Sequence, residues 1–450
     1  MAQFEPLYTA DEMRAAEAGH DVEALMQRAG LAVAEQALRR FPDARTIAAV
    51  CGGGANGGDG RIAARILGEA GRDVRVIDAK TEGPPGGLGG ADLILDALFG
   101  TGFSGRPRRD AKAWIEAINA AETPVLAVDL PSGVDASTGE VAGAAVSARL
   151  TVAFHGAKVG AFVAPGCFHA GEVIVADIGL EHRETGHSLA TPEIVRLVRA
   201  RGERDNKYTA GSVLVVGGSP GLTGAVCLAA EAAFRADAGY VAVAVPPASM
   251  PVVEQRLLEA VKRPLEAVDE LAQRADVVAI GPGLGRDPDV RALVSRLLRE
   301  LDVPVVLDAD ALFELEPFER KAPTVMTPHE GELARLLGEE STWVAAHRLE
   351  ALRRAVERFR CVVLLKGADT LVGAPGEPVL VRQVNAPALA TAGTGDVLTG
   401  IVAAFLTRGL QASHAAIAAA TAQVLAAQKA ASQRGLVASD VIAGLPQALA

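Results

Sequence analysis

Apolar residues in this chain gather into short unbroken runs rather than the strict alternation of a half-exposed strand. "TIAAV" occupies 46 to 50, "DVRVID" 73 to 78, "DLILDALFG" 92 to 100 and "PVLAVDLPSG" 124 to 133. Runs of this kind predict strands covered on both faces, as in a parallel sheet between helices. Ahead of them, Thr9 and Glu12 have capping-box spacing, and the helical period continues through "VEALMQRAGLAVAEQALRRF". A second series follows, made of "SVLVVGG", "YVAVAVP", "DVVAIGPG", "PVVLDAD", "PTVMTP" and "CVVLLKG" with helical patterns between most members. Between the series, Gly179 to Glu193 loses the pattern and gains polar residues, which predicts a boundary. The expectation is an α/β protein of two three-layer αβα domains, 1–188 and 189–450, each with a doubly wound parallel sheet.

Composition narrows the function. The 450 residues suffice for two cores, and 50% hydrophobic against 22% charged residues places the chain among folded proteins. A net charge of -11 with no dense Lys/Arg tract argues against nucleic acid as a partner, while leaving phosphorylated small molecules open. Cys51, Cys167, Cys227 and Cys361 form no C-x-x-C pair, so neither a zinc site nor a disulfide framework is expected, and a reducing cytoplasm fits. The acidic start "MAQFEPLYTADEMRAAE" does not read as a signal peptide. No membrane span is expected either, since the Ala-rich stretch from Ala415 to Ala427 is broken by Thr421 and Gln423.

Two glycine-rich turns carry the candidate chemistry. "VCGGGANGGDGRIAARIL", Val50 to Leu67, joins a strand to a helix, where backbone N–H groups and the helix dipole favour an anion. Its spacing fits the dinucleotide fingerprint poorly and lacks the Lys-Ser/Thr of a P-loop, so a tight turn that packs helix on strand is an equal reading. Asp96 and Asp129 end two strands, at the sheet edge where ligands collect in this architecture. Asn56, Asp96 and Ser132 offer hard oxygen ligands to a cation, and Asp129 could carry protons; each Asp taken singly also reads as a cap or turn former.

"LMQRAG", "CGGGANGGDG", "LILDALFGTGFSGRP" and "AVDLPSGVDASTG" together resemble the Rossmann-like epimerase domain of the bifunctional NAD(P)H-hydrate repair enzymes, over most of residues 9 to 180. That family interconverts the R and S forms of NADH and NADPH hydrates, NADHX and NADPHX, in which water has added across a nicotinamide double bond. The resemblance implies a potassium ion at Asn56, Asp96 and Ser132. It also implies substrate contacts at Ala55, Asn56, Gly57, Gly58 and Asp59, at Gly100, Thr101, Gly102, Phe103, Ser104, Gly105 and Arg106, and at Asp129, with Asp129 the expected proton carrier and Lys158 its candidate helper. Ala55 departs from the usual N-N-G-G-D pattern by replacing the first Asn.

Downstream, "TAGTGDVLTGIVAAFL" sets Gly393, Thr394, Gly395 and Asp396 where an apolar helix begins. A carboxylate beside an anion pocket suits a base that takes a hydroxyl proton during phosphoryl transfer, although an Asp in a first helical turn also simply complements the dipole. Lys366 in "LLKGADTLVG" reads as a phosphate contact or a structural lysine. His329 in "TPHEGELARLL" lacks the second histidine of a zinc helix, since Leu333 stands four residues on. With "VVGGSPGLTGAVCLAAEAAFRADAG", "AIGPGLG" and "VVLDADAL", these segments resemble the ribokinase-like ADP-dependent NAD(P)H-hydrate dehydratase domain from about Asn206 onward. The resemblance implies hydrate contacts at Ala225, Gly283, His329 and Asp396. It further implies ADP contacts along Lys366, Gly367, Ala368, Asp369 and Thr370 and at Gly395, with magnesium as cofactor, a catalytic role for Gly393, Gly395 and Asp396, and a homo-oligomer. Ala386, Ala388 and Ala392 stand where that family more often has glycine. A ribokinase-like kinase of a small vitamin-precursor alcohol, fused to a non-catalytic binding domain, is the competing reading.

Overall fold

The computed structural model describes residues 2–84, 88 and 90–450. The chain divides into two compact units. One comprises Pro6–His187 with Ala345–Arg348, and the other comprises the residues up to Glu5, Ser188–Val344 and Leu349–Ala450.

The first unit is built on a parallel sheet in the order Asp73–Asp78, Thr46–Cys51, Leu93–Ala97, Val125–Val128, Leu150–Phe154, Glu172–Ala176. Strand order reverses between Thr46–Cys51 and Leu93–Ala97, and a crevice opens at the carboxyl ends of strands at such a switch point. Successive side chains face opposite ways. Ile47, Ala49, Leu93, Leu95 and Leu126 therefore enter one core under helices Val22–Arg40 and Ala55–Glu69, and Ala48, Val50, Ile94 and Val125 enter another under Trp114, Ile115 and Ile118 of helix Arg109–Ala120. The expected capping box is formed: the Thr9 side chain accepts from Glu12 N and the Glu12 carboxylate from Thr9 N. The leading helix is not continuous, however. It stops at Glu17, turns through Gly19 at φ +85, and restarts at Val22 behind an Asp21 cap.

In the second unit the parallel order is Val261–Pro264, Tyr240–Val245, Ser212–Val216, Val277–Ile280, Val305–Leu307, Thr324–Met326, Val362–Leu365, followed by the antiparallel strands Asp369–Gly373 and Val379–Gln383. Its reversal lies between Ser212–Val216 and Val277–Ile280. Helices Thr223–Arg235, Thr394–Leu406, Ala412–Gln428 and Ala438–Ala448 share one buried face with Val213, Val215, Val277 and Ala279. Ala415 to Ala427 is thus a core helix, and no helix among the described residues is long and apolar enough to cross a membrane. The polar stretch from Gly179 to Glu193 is not all loop, since it contains strand His187–Ala190. Cys51, Cys227 and Cys361 are buried and Cys167 is half-buried.

Candidate active sites

The glycine-rich turn of the first unit does two jobs. A Cβ on Gly57 would stand 1.9 Å from the Gly52 carbonyl oxygen and one on Gly60 2.4 Å from the Ala97 methyl, so these two glycines let helix Ala55–Glu69 press on its strands. Gly54 has nothing within 4 Å and borders open space. That space is a cavity of about 780 Å³. Ala55, Asn56 and Asp59 line it from the helix start, Gly100, Thr101, Gly102, Phe103, Ser104 and Arg106 from the loop after Leu93–Ala97, and Asp129 from the next strand end. Gly57 and Gly58 instead face packing, Gly58 against Met26. Gly105 is a turn residue at φ +73.

Asp129 is held on every side. Its Oδ1 lies 2.5 Å from the Lys158 ammonium and accepts from Phe154 N at 3.4 Å, while Oδ2 accepts from the Thr101 amide at 3.0 Å and the Thr101 hydroxyl. Burial works against the charge, but Lys158 and the Thr101 bonds outweigh it and keep the carboxyl below the usual range. Lys158, the candidate helper, has a fully buried side chain that also donates to Phe154 O at 2.8 Å. Asp59 has the opposite environment. Burial, then the charges of Asp129 and Glu17, push its carboxyl up to about 8, and its buried Oδ1 has no hydrogen-bond partner.

Asp96 and Ser132 lie beneath the cavity. Asp96 is fully buried and accepts from Ser132 N at 2.8 Å, Ser132 Oγ at 2.6 Å and Leu98 N at 3.3 Å. Those donors are neutral, so burial still raises its carboxyl to about 6. The Asn56 amide nitrogen is buried without a partner. Asp96 and Ser132 present oxygen atoms with no counter-charge beside them, and the Asn56 carboxamide could add its oxygen to a cation, although its orphaned nitrogen is an N–H donor and not itself a ligand.

In the second unit, Gly393 at φ +88 turns the chain into helix Thr394–Leu406. The first intrahelical bond runs from Val397 N to Gly393 O, so the amides of Thr394, Gly395 and Asp396 precede it and point out of the helix end. The turn is fixed from behind, because the Thr394 hydroxyl donates to Leu389 O and Thr391 O, both at 2.9 Å, and Gln423 donates to Thr394 O at 2.6 Å. A Cβ on Gly395 would lie 3.4 Å from Lys366 Nζ, which places the ammonium at the helix start. Lys366 is paired with Asp308 at 2.8 Å and approaches Glu332 at 3.9 Å; burial opposes its charge, and these carboxylates hold it above the usual range. Burial first, then the charge of Asp308, pushes Asp396 up to about 7. This is the range in which a carboxylate is an effective base at neutral pH.

The structure brings Lys366, Gly395 and Asp396 together. Gly367 and Ala368 are exposed beside them, whereas Asp369 and Thr370 are buried on strand Asp369–Gly373. Gly283 and Ala225 meet at the sheet's switch point, since a Cβ on Gly283 would reach the Ala225 methyl at 3.3 Å. His329 caps helix Glu330–Leu337, with Nδ1 accepting from Gly331 N at 3.0 Å and Glu332 N at 3.4 Å. Burial and then Lys366 hold its pKa down, so the imidazole is neutral. Asp308 escaped the sequence reading. It is buried and also accepts from the Thr327 and Thr399 hydroxyls at 2.8 and 2.7 Å. Its signal was a carboxylate ending the run "VVLDAD", the feature that marked Asp96 and Asp129.

Fold and sites together define a fused pair of α/β units, each gathering its candidate residues at the carboxyl ends of its parallel strands, the second of them ribokinase-like. Residues 213–446 match the family model described as NAD(P)H-hydrate dehydratase, and 22–85 and 77–160 match that of the YjeF-related protein N-terminus. The bifunctional NAD(P)H-hydrate repair enzyme of Moorella thermoacetica is 39% identical over 94% of this chain and 92% of its own, and that of Escherichia coli is 32% identical over 94% and 88%. The solved ADP/ATP-dependent NAD(P)H-hydrate dehydratase of Bacillus subtilis, co-crystallised with ATP and Mg2+, covers 57% of this chain and 96% of its own at TM-score 0.52 and 29% identity. This chain belongs to the family of bifunctional NAD(P)H-hydrate repair enzymes.

Proposed function

We propose that the first unit interconverts the R and S hydrates of NADH and NADPH and that the second removes water from the S hydrate at the expense of ADP. The observation that carries this reading is Asp396, a carboxyl poised near neutrality beside the free amides of a helix N-terminus and the Lys366 ammonium. Hydroxide leaves badly from the hydrate and phosphate leaves well. Asp396 takes the ring hydroxyl proton as the oxygen attacks the terminal phosphoryl group, releasing AMP. The amides of Gly395 and Asp396 steady the transferred charge. The ring nitrogen then expels phosphate as an iminium forms, and loss of a proton from the adjacent ring carbon restores the dihydronicotinamide. Lys366, Gly367 and Ala368 hold the nucleotide with Asp369 and Thr370 behind them, and Ala225, Gly283 and His329 border the hydrate.

Among the described residues no group of three or more His, Cys, Asp and Glu could hold a metal ion. Magnesium therefore fits as an ion brought in on the nucleotide phosphates, its usual mode, where it neutralises their charge. In the first unit Asn56, Asp96 and Ser132 hold potassium, which supplies the positive charge that Asp96 lacks. Ala55 stands exposed at the cavity edge, where the Asn amide it replaces would be a rim contact. The protein works in the cytoplasm as a homo-oligomer on small-molecule substrates.

The test incubates the purified protein with separated R and S hydrates and each nucleotide in turn, following NADH absorbance in the near ultraviolet. ADP-dependent recovery from S, and recovery from R through S, are the expected results. A stable phosphorylated product without NADH would replace this reading with that of a small-molecule kinase.

A further inference from the structure

The first unit's cavity holds three carboxyl groups, and the geometry divides them. Asp129 is saturated: both oxygens are occupied by Lys158, Thr101 and Phe154, all donors that favour the anion. A group so held is a fixed negative charge and a poor carrier of protons. Glu17 is exposed at the cavity edge. Asp59 is buried, lines the same cavity, and leaves Oδ1 without a partner. An unpaired buried carboxyl oxygen costs stability unless it serves a ligand.

Resting on the epimerase reading above, we propose that Asp59, rather than Asp129, moves the protons of epimerisation, acting as a neutral carboxylic acid that shuttles them through its two oxygens. The hydrate's ring nitrogen, hydroxyl-bearing carbon and hydroxyl form an N–C–O unit that matches the O–C–O span of a carboxyl. The Asp59 O–H donates to the ring nitrogen as the ring N–C bond breaks, its electron pair passing to nitrogen. The other Asp59 oxygen accepts the hydroxyl proton as the carbonyl of an open-chain aldehyde forms. Rotation about the adjoining C–C bond presents the opposite face, and the reverse transfer closes the ring as the other epimer. Asp59 ends as it began, with no second base consumed. Its pKa of about 8 keeps the required proton at neutral pH. The charged groups that bear on it are Asp129 and Glu17, which raise this value, and Lys158, which lowers it; Arg14, Lys80, Arg106 and Arg108 stand around the cavity.

The test uses the full chain with Asp59→Asn. Interconversion of separated R and S hydrates is followed by chromatography, with ADP-dependent dehydration of S measured on the same sample. Epimerisation kcat is expected to fall about 10²- to 10⁴-fold with KM changed by less than about 3-fold, while dehydration is unaffected. In the wild-type protein a hydroxyl labelled with 18O is expected to keep its label through epimerisation, because ring opening retains that oxygen. Epimerisation at the wild-type rate in Asp59→Asn, or complete wash-out of the label by solvent, overturns the proposal and leaves the epimerase reading standing. A wild-type protein that dehydrates S but leaves R untouched overturns both.

Discussion

Replacing Lys158 by Met leaves a buried Asp129 carboxylate without its cation. The two charged atoms lie 2.5 Å apart, with the lysine side chain 0% and the aspartate 11% exposed. At an effective dielectric near 20, such a pair attracts by about 7 kcal/mol before desolvation is subtracted. Breaking one side of a buried pair usually costs about 3–5 kcal/mol. The same loss is expected for Asp129→Asn, which strands the ammonium. The double variant should cost less than the sum of the two, with a coupling of at least about 2 kcal/mol. Urea unfolding by tryptophan fluorescence measures this cleanly: the chain has two tryptophans, Trp114 buried in the first unit and Trp343 in the second, so a Trp343→Phe background reports the right transition.

A pH arm has opposite signs in the two proteins. Wild-type Asp129 is held below its ordinary value of 3.8, so its stabilisation is present above that value and lost as pH falls through the folded pKa. In Lys158→Met, burial dominates and raises the carboxyl, so the variant gains stability on acidification from neutrality. Additivity within about 0.5 kcal/mol, or the same pH slope in both proteins, would refute the reasoning.

Asp396→Asn should lower ADP-dependent dehydration about 10²- to 10⁴-fold while epimerisation continues. In the wild type, kcat/KM for dehydration should rise with pH through about 7, the value to which burial and Asp308 push the base, and a flat profile counts against Asp396. Gly57→Ala drives a methyl to 1.9 Å from the Gly52 carbonyl and is expected to destabilise the first unit by about 1–3 kcal/mol, against less than about 0.5 for Gly54→Ala, both read from the Trp114 transition. Potassium chloride should raise the melting temperature of the first unit above that in choline chloride at equal ionic strength, and Asp96→Asn should erase the difference; an unchanged difference removes Asp96 from the cation site.

The strands were legible because they are apolar without interruption. "TIAAV" and "LILDA" became Thr46–Cys51 and Leu93–Ala97, and the six runs of the second series all became parallel strands. Edges escaped. Val261–Pro264 carries Lys262 and Arg263 and ends in proline, and Glu172–Ala176 is half covered, so neither shows the signature of a strand buried on both faces. The two glycine-rich turns pointed to both candidate sites, yet sequence could not sort their glycines. Gly57 and Gly54 are alike in one dimension, and only the approach of Gly52 separates them. Electrostatic partners were hidden for the same reason. Nothing near Lys158 in the chain says that Asp129 awaits it, or that Asp308 sits beside Lys366.

The interleaving of the two units bears on how the activities are dissected in the laboratory. Residues up to Glu5 cluster with the second unit and Ala345–Arg348 with the first. A gene cut between codons 187 and 188 therefore yields two polypeptides that each lack a piece of their own fold and carry a stray piece of the other's. Poor yield or low turnover from such halves would reflect where the scissors fell, and a fair dissection silences one site by point substitution in the intact polypeptide.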